Sequence, residues 1–370
     1  MKINALIVSF VTLLSTPTVF TCPAHGASKE VTSDEYVRFS THDEIVEGAK
    51  KEGRLKMLSG LEQRTFAVLV DAFRRKYPFV ASIDTSELDG VTAFQRFILE
   101  MKAGQAGDWD VAHIPMDVAE NFPPFLKMYD LLGMAKLGVL KIDPRMIDPL
   151  KRNMISVTSN LSPILYNKNL ISEEKVPGNW EDFLKPEFKG RKFLMNLRSQ
   201  HLAALVPAWG LQRTIEFARK LAAQQPSWGS GGTRLATAVA TGEHPFLCCV
   251  NYSSAERNVR KDRTGRLNYK IVEPVPTRVV EHARAIFKTA EHPYTGLLWL
   301  EFLASPEGQD IIDKNEPFRG SVYSPGSKQA QVTRGKDLSV VGWNDFTKFQ
   351  SYTEKIFEAW GFPKADRKKR

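Results

Sequence analysis

The sequence has 370 residues, of which 42% are hydrophobic and 25% charged, and it carries a formal net charge of +9. This composition is ordinary for a globular protein and excludes a chain that is disordered along its whole length. The length exceeds the size at which one hydrophobic core stops growing, which predicts two lobes. The basic excess is modest and mostly dispersed, so it suits anionic ligands or solubility and argues against nucleic acid as a partner.

The first 26 residues have the pattern of a cleavable export signal. Lys2 precedes an apolar run from Ala5 to Leu14, and small or polar residues follow up to Gly26. This order is typical of such signals, and the run is too short to span a bilayer. We therefore predict an exported protein whose mature chain begins at Ala27 and lacks Cys22.

Two cysteines remain after this cleavage, and they are adjacent. Cys248 and Cys249 lie inside the apolar run from Phe246 to Val250, which predicts buried strand thiols. A vicinal disulfide is the alternative in an oxidising compartment. A single adjacent pair supports neither a disulfide framework nor a cysteine-based zinc site.

The first third of the chain alternates predicted helices and strands. Residues Thr41 to Glu44 have capping-box spacing and open a helix that stops at Gly53. A strand at Leu55 to Leu58 and an amphipathic helix ending before Pro78 follow. The next elements are a strand at 80–83, a helix around 94–101 and a strand at 110–114. This alternation is typical of a largely parallel sheet.

The same pattern continues to the C-terminus. The predicted elements are a strand-like segment at 155–166, a short helix from 179, a strand at 193–196, a long helix at 201–223, a strand at 246–250, strands at 271–275 and 285–287, a helix at 293–303 and a final helix at 344–360. The predicted fold class is therefore α/β.

Four segments resemble the solute-binding proteins of bacterial ABC importers, in the branch that includes ferric-iron binders. They are AKKEGRLKMLS with FRRKYP (49–59 and 73–78), GDWDV (107–111), NWEDFLKPEFKG (179–190) and HPYTGLLWLEFLASPEGQ (292–309). The last is the most specific, because the family has a His-Pro, an apolar helix and Ser-Pro-Glu-Gly-Gln in that order.

The resemblance implies a two-lobed periplasmic-binding-protein fold of type II, with a hinge of two crossing strands. Lobe 1 would comprise residues 27–156 plus 272–370, and lobe 2 residues 157–271. It also implies a periplasmic monomer that closes on a small molecule and delivers it to an inner-membrane ABC permease.

Ligands of open α/β sheets lie beyond the carboxyl ends of the strands, where three loops qualify. In the first, Ser59, Gly60 and Glu62 could hold an anion, although a plain turn is the alternative. His113 and Asn160 could also face the cleft, although a structural role is more common for a lone strand histidine.

The second and third loops follow the strands of lobe 2. The resemblance implies that Arg198, Ser199 and Gln200 hold an anion on a helix N-terminus, with an N-cap serine as the alternative. In the third loop, Asn251 and Tyr252 follow the apolar strand. We predict that Ser199 and Tyr252 grip the ligand across the cleft.

The iron ligands of the ferric branch are mostly replaced. That branch has two adjacent tyrosines in the third loop, whereas Tyr252 is followed by serines; its other ligands align with Glu62 and Pro115. Only Tyr252 and Glu62 could bind ferric iron, which is too few without a chelator. We therefore predict a small polar or anionic solute and no resident cofactor, with ferric iron or a ferric chelate as the alternative cargo.

Motifs of common enzymes are absent from the sequence. It has no Gly-x-Ser-x-Gly elbow, no His-Glu-x-x-His helix, no Walker loop and no dinucleotide-binding fingerprint. We therefore predict that the protein is not an enzyme. A periplasmic enzyme with a dispersed carboxylate pair and a ligand-sensing subunit remain alternatives.

Overall fold

The computed structural model describes residues 30–32, 36–88, 90–315 and 319–362. The predicted export signal, the start at Ala27 and Cys22 lie outside the described residues. Across the described ranges, no helix combines the length and the apolar character needed to cross a bilayer.

Strands and helices alternate along most of the chain. The strands are β1 (Glu30–Thr32), β2 (Tyr36–Arg38), β3 (Arg54–Ser59), β4 (Ser82–Glu87), β5 (Val111–Pro115), β6 (Asn160–Leu161), β7 (Ile164–Asn167), β8 (Leu194–Asn196), β9 (Ser227–Gly229), β10 (Phe246–Cys248), β11 (Leu267–Lys270), β12 (Val275–Arg278), β13 (His282–Ile286) and β14 (Leu338–Val341). The α-helices are α1 (His42–Glu52), α2 (Gln63–Lys76), α3 (Gly90–Lys102), α4 (Leu131–Lys136), α5 (Gln200–Ala203), α6 (Val206–Trp209), α7 (Leu211–Ala223), α8 (Gly232–Ala240), α9 (Tyr252–Lys261), α10 (Pro293–Ala304), α11 (Pro306–Asn315), α12 (Lys328–Val332) and α13 (Phe346–Ala359).

The first large sheet has four strands in the order β13-β5-β3-β4. Strand β3 runs parallel to β4 and β5, and β13 runs antiparallel to β5. Buried aromatic rings support one face, where Phe73 packs edge-on against Trp299 with ring centroids 5.1 Å apart. The carboxyl ends of β3 and β5 therefore stand on a rigid base and carry Ser59 and Pro115 to one edge.

The second large sheet has five strands in the order β11-β7-β10-β8-β9. Strand β8 runs parallel to β9 and β10, whereas β7 runs antiparallel to its neighbours β10 and β11. The core includes the stacked rings of Phe193 and Phe246, with centroids 5.2 Å apart. Cys248 and Cys249 are buried free thiols, as predicted, and their sulfurs lie 2.6 Å apart.

A third sheet has three strands in the order β14-β12-β6, and its strands β6 and β12 lie in the chain between strands of the two large sheets. The chain enters the second large sheet through β6 and β7 and returns through β11 and β12. These are the two crossings that a hinged α/β fold requires. Strand β14 pairs parallel to β12 and leads the chain into α13.

Helix α13 packs against α5 and α7 of the second lobe. Its apolar face needs a partner, and Ile356 and Trp360 join the core cluster around Phe217. The predicted lobe division placed α13 in lobe 1, as part of residues 272–370. Its contacts with α5 and α7 instead place α13 on lobe 2. The remaining lobe boundaries stay a prediction.

Several predicted elements are confirmed where their signals are local. Helix α1 begins after Thr41, whose hydroxyl accepts from the backbone N–H of Glu44 at 3.3 Å, and ends at Gly53. The predicted helix at 293–303 is α10, and the final helix is α13.

Other predictions of element boundaries were wrong for identifiable reasons. The predicted helix at 201–223 is three helices, because Pro207 lacks an N–H and Gly210 has a φ of +78° that other residues rarely adopt. The predicted strand at 155–166 breaks between β6 and β7, where Pro163 cannot donate to a ladder. The predicted strand at 271–275 falls between β11 and β12 at Pro274, and the strand predicted at 80–83 is β4, displaced toward the C-terminus.

Candidate functional site

Four polar residues meet where the hinge strands approach the second lobe. Arg278, at the end of β12, lies opposite Asn160 of β6 in the sheet register. Its Nη2 donates to Asn251 Oδ1 at 3.0 Å and lies 3.1 Å from Glu281 Oε1. We call these residues the hinge-floor cluster: Asn160, Asn251, Arg278 and Glu281. The cluster connects a hinge strand to the third predicted loop.

Asn160 is tied to this cluster by either orientation of its amide. Its Nδ2 donates to Glu281 Oε2 at 3.4 Å; exchanging the amide oxygen and nitrogen instead lets the oxygen accept from Arg278 Nη2 at 3.3 Å. The Arg278 side chain is only 11% exposed, and its Nε has no hydrogen-bond partner among the described residues. The buried guanidinium therefore has one N–H donor without a partner among the described residues.

Two histidines stack next to this cluster, on the first large sheet. In the antiparallel register of β5 and β13, His113 lies opposite Arg284 and His282 opposite Pro115. Alternation along a strand places all four side chains on one face. The rings of His113 and His282 lie 4.9 Å apart between centroids, at 27°. We call them the histidine pair.

Burial controls the charge of the histidine pair. Desolvation, with Arg284 and the neighbouring imidazole, lowers the pKa of His113 well below its usual value. The same burial, with Arg284, lowers the pKa of His282 to about 4. Both rings are therefore neutral near pH 7. Neither Nδ1 has a hydrogen-bond partner within the part of the chain that the structure describes.

The first predicted loop reaches the histidine pair at Gly60. A Cβ atom on Gly60 would lie 1.9 Å from His113 Nε2, so the ring occupies the space that any side chain would need. The Ser59 hydroxyl instead accepts from the backbone N–H of Leu61 at 3.2 Å, which is the contact of a local turn. Glu62 is exposed and precedes α2.

The second predicted loop is used differently from what the sequence indicated. The Ser199 hydroxyl is buried and donates to the Thr353 carbonyl of α13 at 2.8 Å, so it neither caps α5 nor points to a free cleft. Arg198 and Gln200 are exposed beside it. Their contacts with a ligand stay a prediction, whereas the Ser199 hydroxyl makes its hydrogen bond within the protein.

Tyr252 of the third loop is fully buried. Its hydroxyl lies 3.1 Å from the hydroxyl of Tyr269, and burial raises its pKa. A phenolate, the form that would bind ferric iron, is disfavoured there. Within the described ranges, no group of three or more His, Cys, Asp or Glu residues could hold a metal ion.

Of the hinge-floor cluster, the histidine pair and their neighbours Gly60 and Arg284, the sequence analysis had named four residues as ligand candidates, and their role stays a prediction. Gly60 and His113 meet, and Asn160 and Asn251 meet through Arg278. The residues missed are Arg278, Glu281, His282 and Arg284. Their signal was a set of charged and histidine residues within the otherwise apolar strands from 275 to 286, with His282 and Arg284 at alternate positions.

A family comparison identifies the class of protein to which the chain belongs. Residues 138–348 match the family model of bacterial extracellular solute-binding proteins. The match covers more than half of the chain, including Asn160, Asn251 and Arg278, and the chain belongs to this family. Among curated proteins, no sequence matches the chain.

Solved structures share the fold at low sequence identity. The Trichodesmium protein IdiA (FutA), in complex with iron and citrate, has a TM-score of 0.61 and 18% identity, covering 84% of this chain and 100% of its own. Ferric iron-binding protein A of Mannheimia haemolytica, in an open conformation, has a TM-score of 0.63 and 14% identity, covering 83% and 98%. The substrate-binding protein of an ABC transporter from Agrobacterium tumefaciens has a TM-score of 0.57 and 18% identity, covering 83% and 95%. The two-lobed α/β fold is confirmed.

Proposed function

We propose that this solute-binding protein takes a small anionic solute between its lobes, at the hinge-floor cluster, and delivers it to the permease of an ABC importer. The observation that supports this is the bond from Arg278 to Asn251, which brings a buried cation of the hinge to a loop of the second lobe. A charge-assisted bond from a guanidinium to a carboxylate or phosphate oxygen is among the strongest polar contacts available.

Closure follows from where the cluster lies. A solute that contacts both lobes binds the closed form better than the open form, so it shifts the population toward closure. The predicted export signal supports a periplasmic location for this event. We propose a monomer that binds without turnover, holds no resident cofactor and does not bind nucleic acid.

The test compares wild type with Arg278→Gln in a thermal-shift and calorimetric screen. The probes are citrate, oxalate, inorganic phosphate and acetate. A bound probe at 100 times its Kd should stabilise wild type by about 2.7 kcal/mol. Loss of a charged hydrogen bond, at about 1.5–3 kcal/mol, should raise the Kd of Arg278→Gln by roughly 10- to 100-fold.

Two variants make this result specific. Arg213→Gln removes an exposed arginine that pairs with Glu181 at 3.0 Å, and it should bind like wild type. Asn251→Ala keeps the Arg278 charge but removes its partner on the second lobe, so it should weaken binding even if Arg278→Gln fails to fold. Unchanged Kd values in both site variants, or no stabilisation of wild type by any probe, would contradict the proposal.

A ferric chelate is the second candidate cargo. Solved structures with this fold include a protein in complex with iron and citrate. The buried Tyr252 disfavours bare ferric iron, whereas Arg278 suits the carboxylates of a chelate. Ferric citrate should then bind more tightly than citrate alone and keep its visible absorption on the protein. Equal affinities for ferric citrate and for citrate would show that the site binds the anion and not the chelated iron.

A further inference from the structure

The histidine pair is connected to the hinge-floor cluster through Glu281, whose charge acts on His282. His282 follows Glu281 directly in the chain, and Glu281 pairs with Arg278 at 3.1 Å. His113 is 2% exposed, and the glycine at position 60 leaves room for its ring at the carboxyl edge of the sheet. Glu281 therefore links the pair, on the first lobe, to the guanidinium proposed to bind the solute.

The pair has unmet hydrogen-bonding capacity. Each Nδ1 is buried and makes no hydrogen bond to a group in the described ranges. Buried polar atoms nearly always have a partner, and leaving one unsatisfied costs about 1–3 kcal/mol. The centroids of the two stacked rings lie 4.9 Å apart. Two imidazoles at this spacing can both hydrogen-bond to a single polar group that carries more than one oxygen.

We propose that the histidine pair is a second anion subsite, which takes an oxygen group of the solute while Arg278 takes another, and that the pair gains protons as the solute binds. The solute is then a compact anion with at least two negative charges, such as a dicarboxylate or a phosphoryl compound. This inference rests on the proposed function and narrows its substrate class.

The charges around the pair explain why the subsite depends on the solute. Arg284 lies beside both rings, Arg319 acts on His282, and the acidic groups Glu281 and Asp117 oppose them. The elements around His113 add Gly60 and the ring of Phe94, which carry no charge. Without an anion, arginine and burial keep the imidazoles neutral. A dianion beside them favours their charged form, so binding and protonation strengthen one another.

The sign of the pH effect follows from this linkage. Protons are taken up on binding, so affinity rises as the pH falls from 8 toward 6. For each proton taken up, the Kd falls about tenfold for every unit by which the pH decreases. Oxalate stays fully ionised over this range, so its own titration does not contribute.

The experiment is calorimetry of the panel probes in two buffers of different ionisation enthalpy, at pH 7. For oxalate, the buffer dependence should show uptake of protons by wild type. Phosphate itself releases protons at this pH when it binds as the dianion, so for phosphate the net uptake should be larger in wild type than in His282→Asn. His282→Asn should lose at least part of this proton uptake and bind the dianion more weakly, while its affinity for acetate changes less than twofold. His244→Asn, a variant of a histidine away from the pair, should match wild type.

The outcomes separate the two proposals. If oxalate binds without proton uptake, if phosphate binds with equal net uptake in wild type and His282→Asn, or if acetate binds as tightly as oxalate, the second subsite is wrong and the proposed function stands. If no probe binds wild type, both the proposed function and the second subsite are wrong. If His282→Asn fails to fold, His113→Gln replaces it in the same measurement, and unchanged proton uptake there would equally overturn the inference.

Discussion

At the scale of single residues, Gly60 and His113 compete for the same space. Alanine at position 60 would place a methyl group 1.9 Å from the imidazole. Because His113 is buried between β5 and its neighbours, the ring cannot simply move into water. We expect Gly60→Ala to lower the free energy of unfolding by about 1–3 kcal/mol, as overpacking does. Urea unfolding measures this.

Two further variants check that the clash is the cause. Gly326→Ala places a methyl group where no atom lies within 4 Å, so it should leave stability nearly unchanged. Gly60→Ala combined with His113→Ala should be less destabilised than the sum of the single variants, because the smaller side chain makes room. Strict additivity would show that the two residues do not conflict.

Sequence reasoning found the glycine, the histidine and the two asparagines because strand ends are visible in a sequence. It could not find Arg278 or His282, because their importance depends on pairing between strands far apart in the chain. His282 meets His113 only through the β5–β13 register, and Arg278 meets Asn251 only across the hinge. Such pairings are set by tertiary packing, which no local pattern contains.

At the scale of elements, one hydroxyl joins α5 to the C-terminal helix. Ser199 was predicted to contact the ligand, yet its Oγ donates to the Thr353 carbonyl at 2.8 Å. We therefore expect Ser199→Ala to lower the free energy of unfolding by about 1 kcal/mol, the net value of a buried hydrogen bond. Its Kd for the bound probe should stay within twofold of wild type. A tenfold rise in Kd without loss of stability would restore the original prediction.

The helices also differ in whether their features depend on nearby or on distant parts of the chain. The start of α1 at Thr41 was predictable, because a capping side chain bonds its own helix. The packing of α13 on α5 and α7 was not, because its apolar face could have covered either lobe. Its direction depends on the pairing of β14 with β12, which precedes the helix in the chain.

At the scale of the whole molecule, three buried histidines make stability depend on pH. The pKa values of His113 and His282 are lowered by burial and Arg284; that of His201 is lowered well below its usual value by burial, with Arg278 and Arg198 contributing. The unfolded chain protonates its histidines near pH 6.5, whereas the native protein keeps these three neutral. Below about pH 6.5, the unfolded state therefore binds more protons.

It follows that the free energy of unfolding is highest above pH 6.5 and falls as the pH decreases, by up to about 1.4 kcal/mol per pH unit for each such histidine. His201 tests this most directly, because its Nδ1 lies 2.9 Å from Ser162 Oγ and an amide at this position can keep that bond. Urea unfolding between pH 7 and 5 should give a shallower fall for His201→Gln than for wild type. Carboxyl groups with raised pKa values, such as Glu52 and Asp313, act alike in both proteins and cancel in the comparison. Parallel curves would show that the native protein protonates His201 as readily as the unfolded chain does, and the burial argument for this ring would fail.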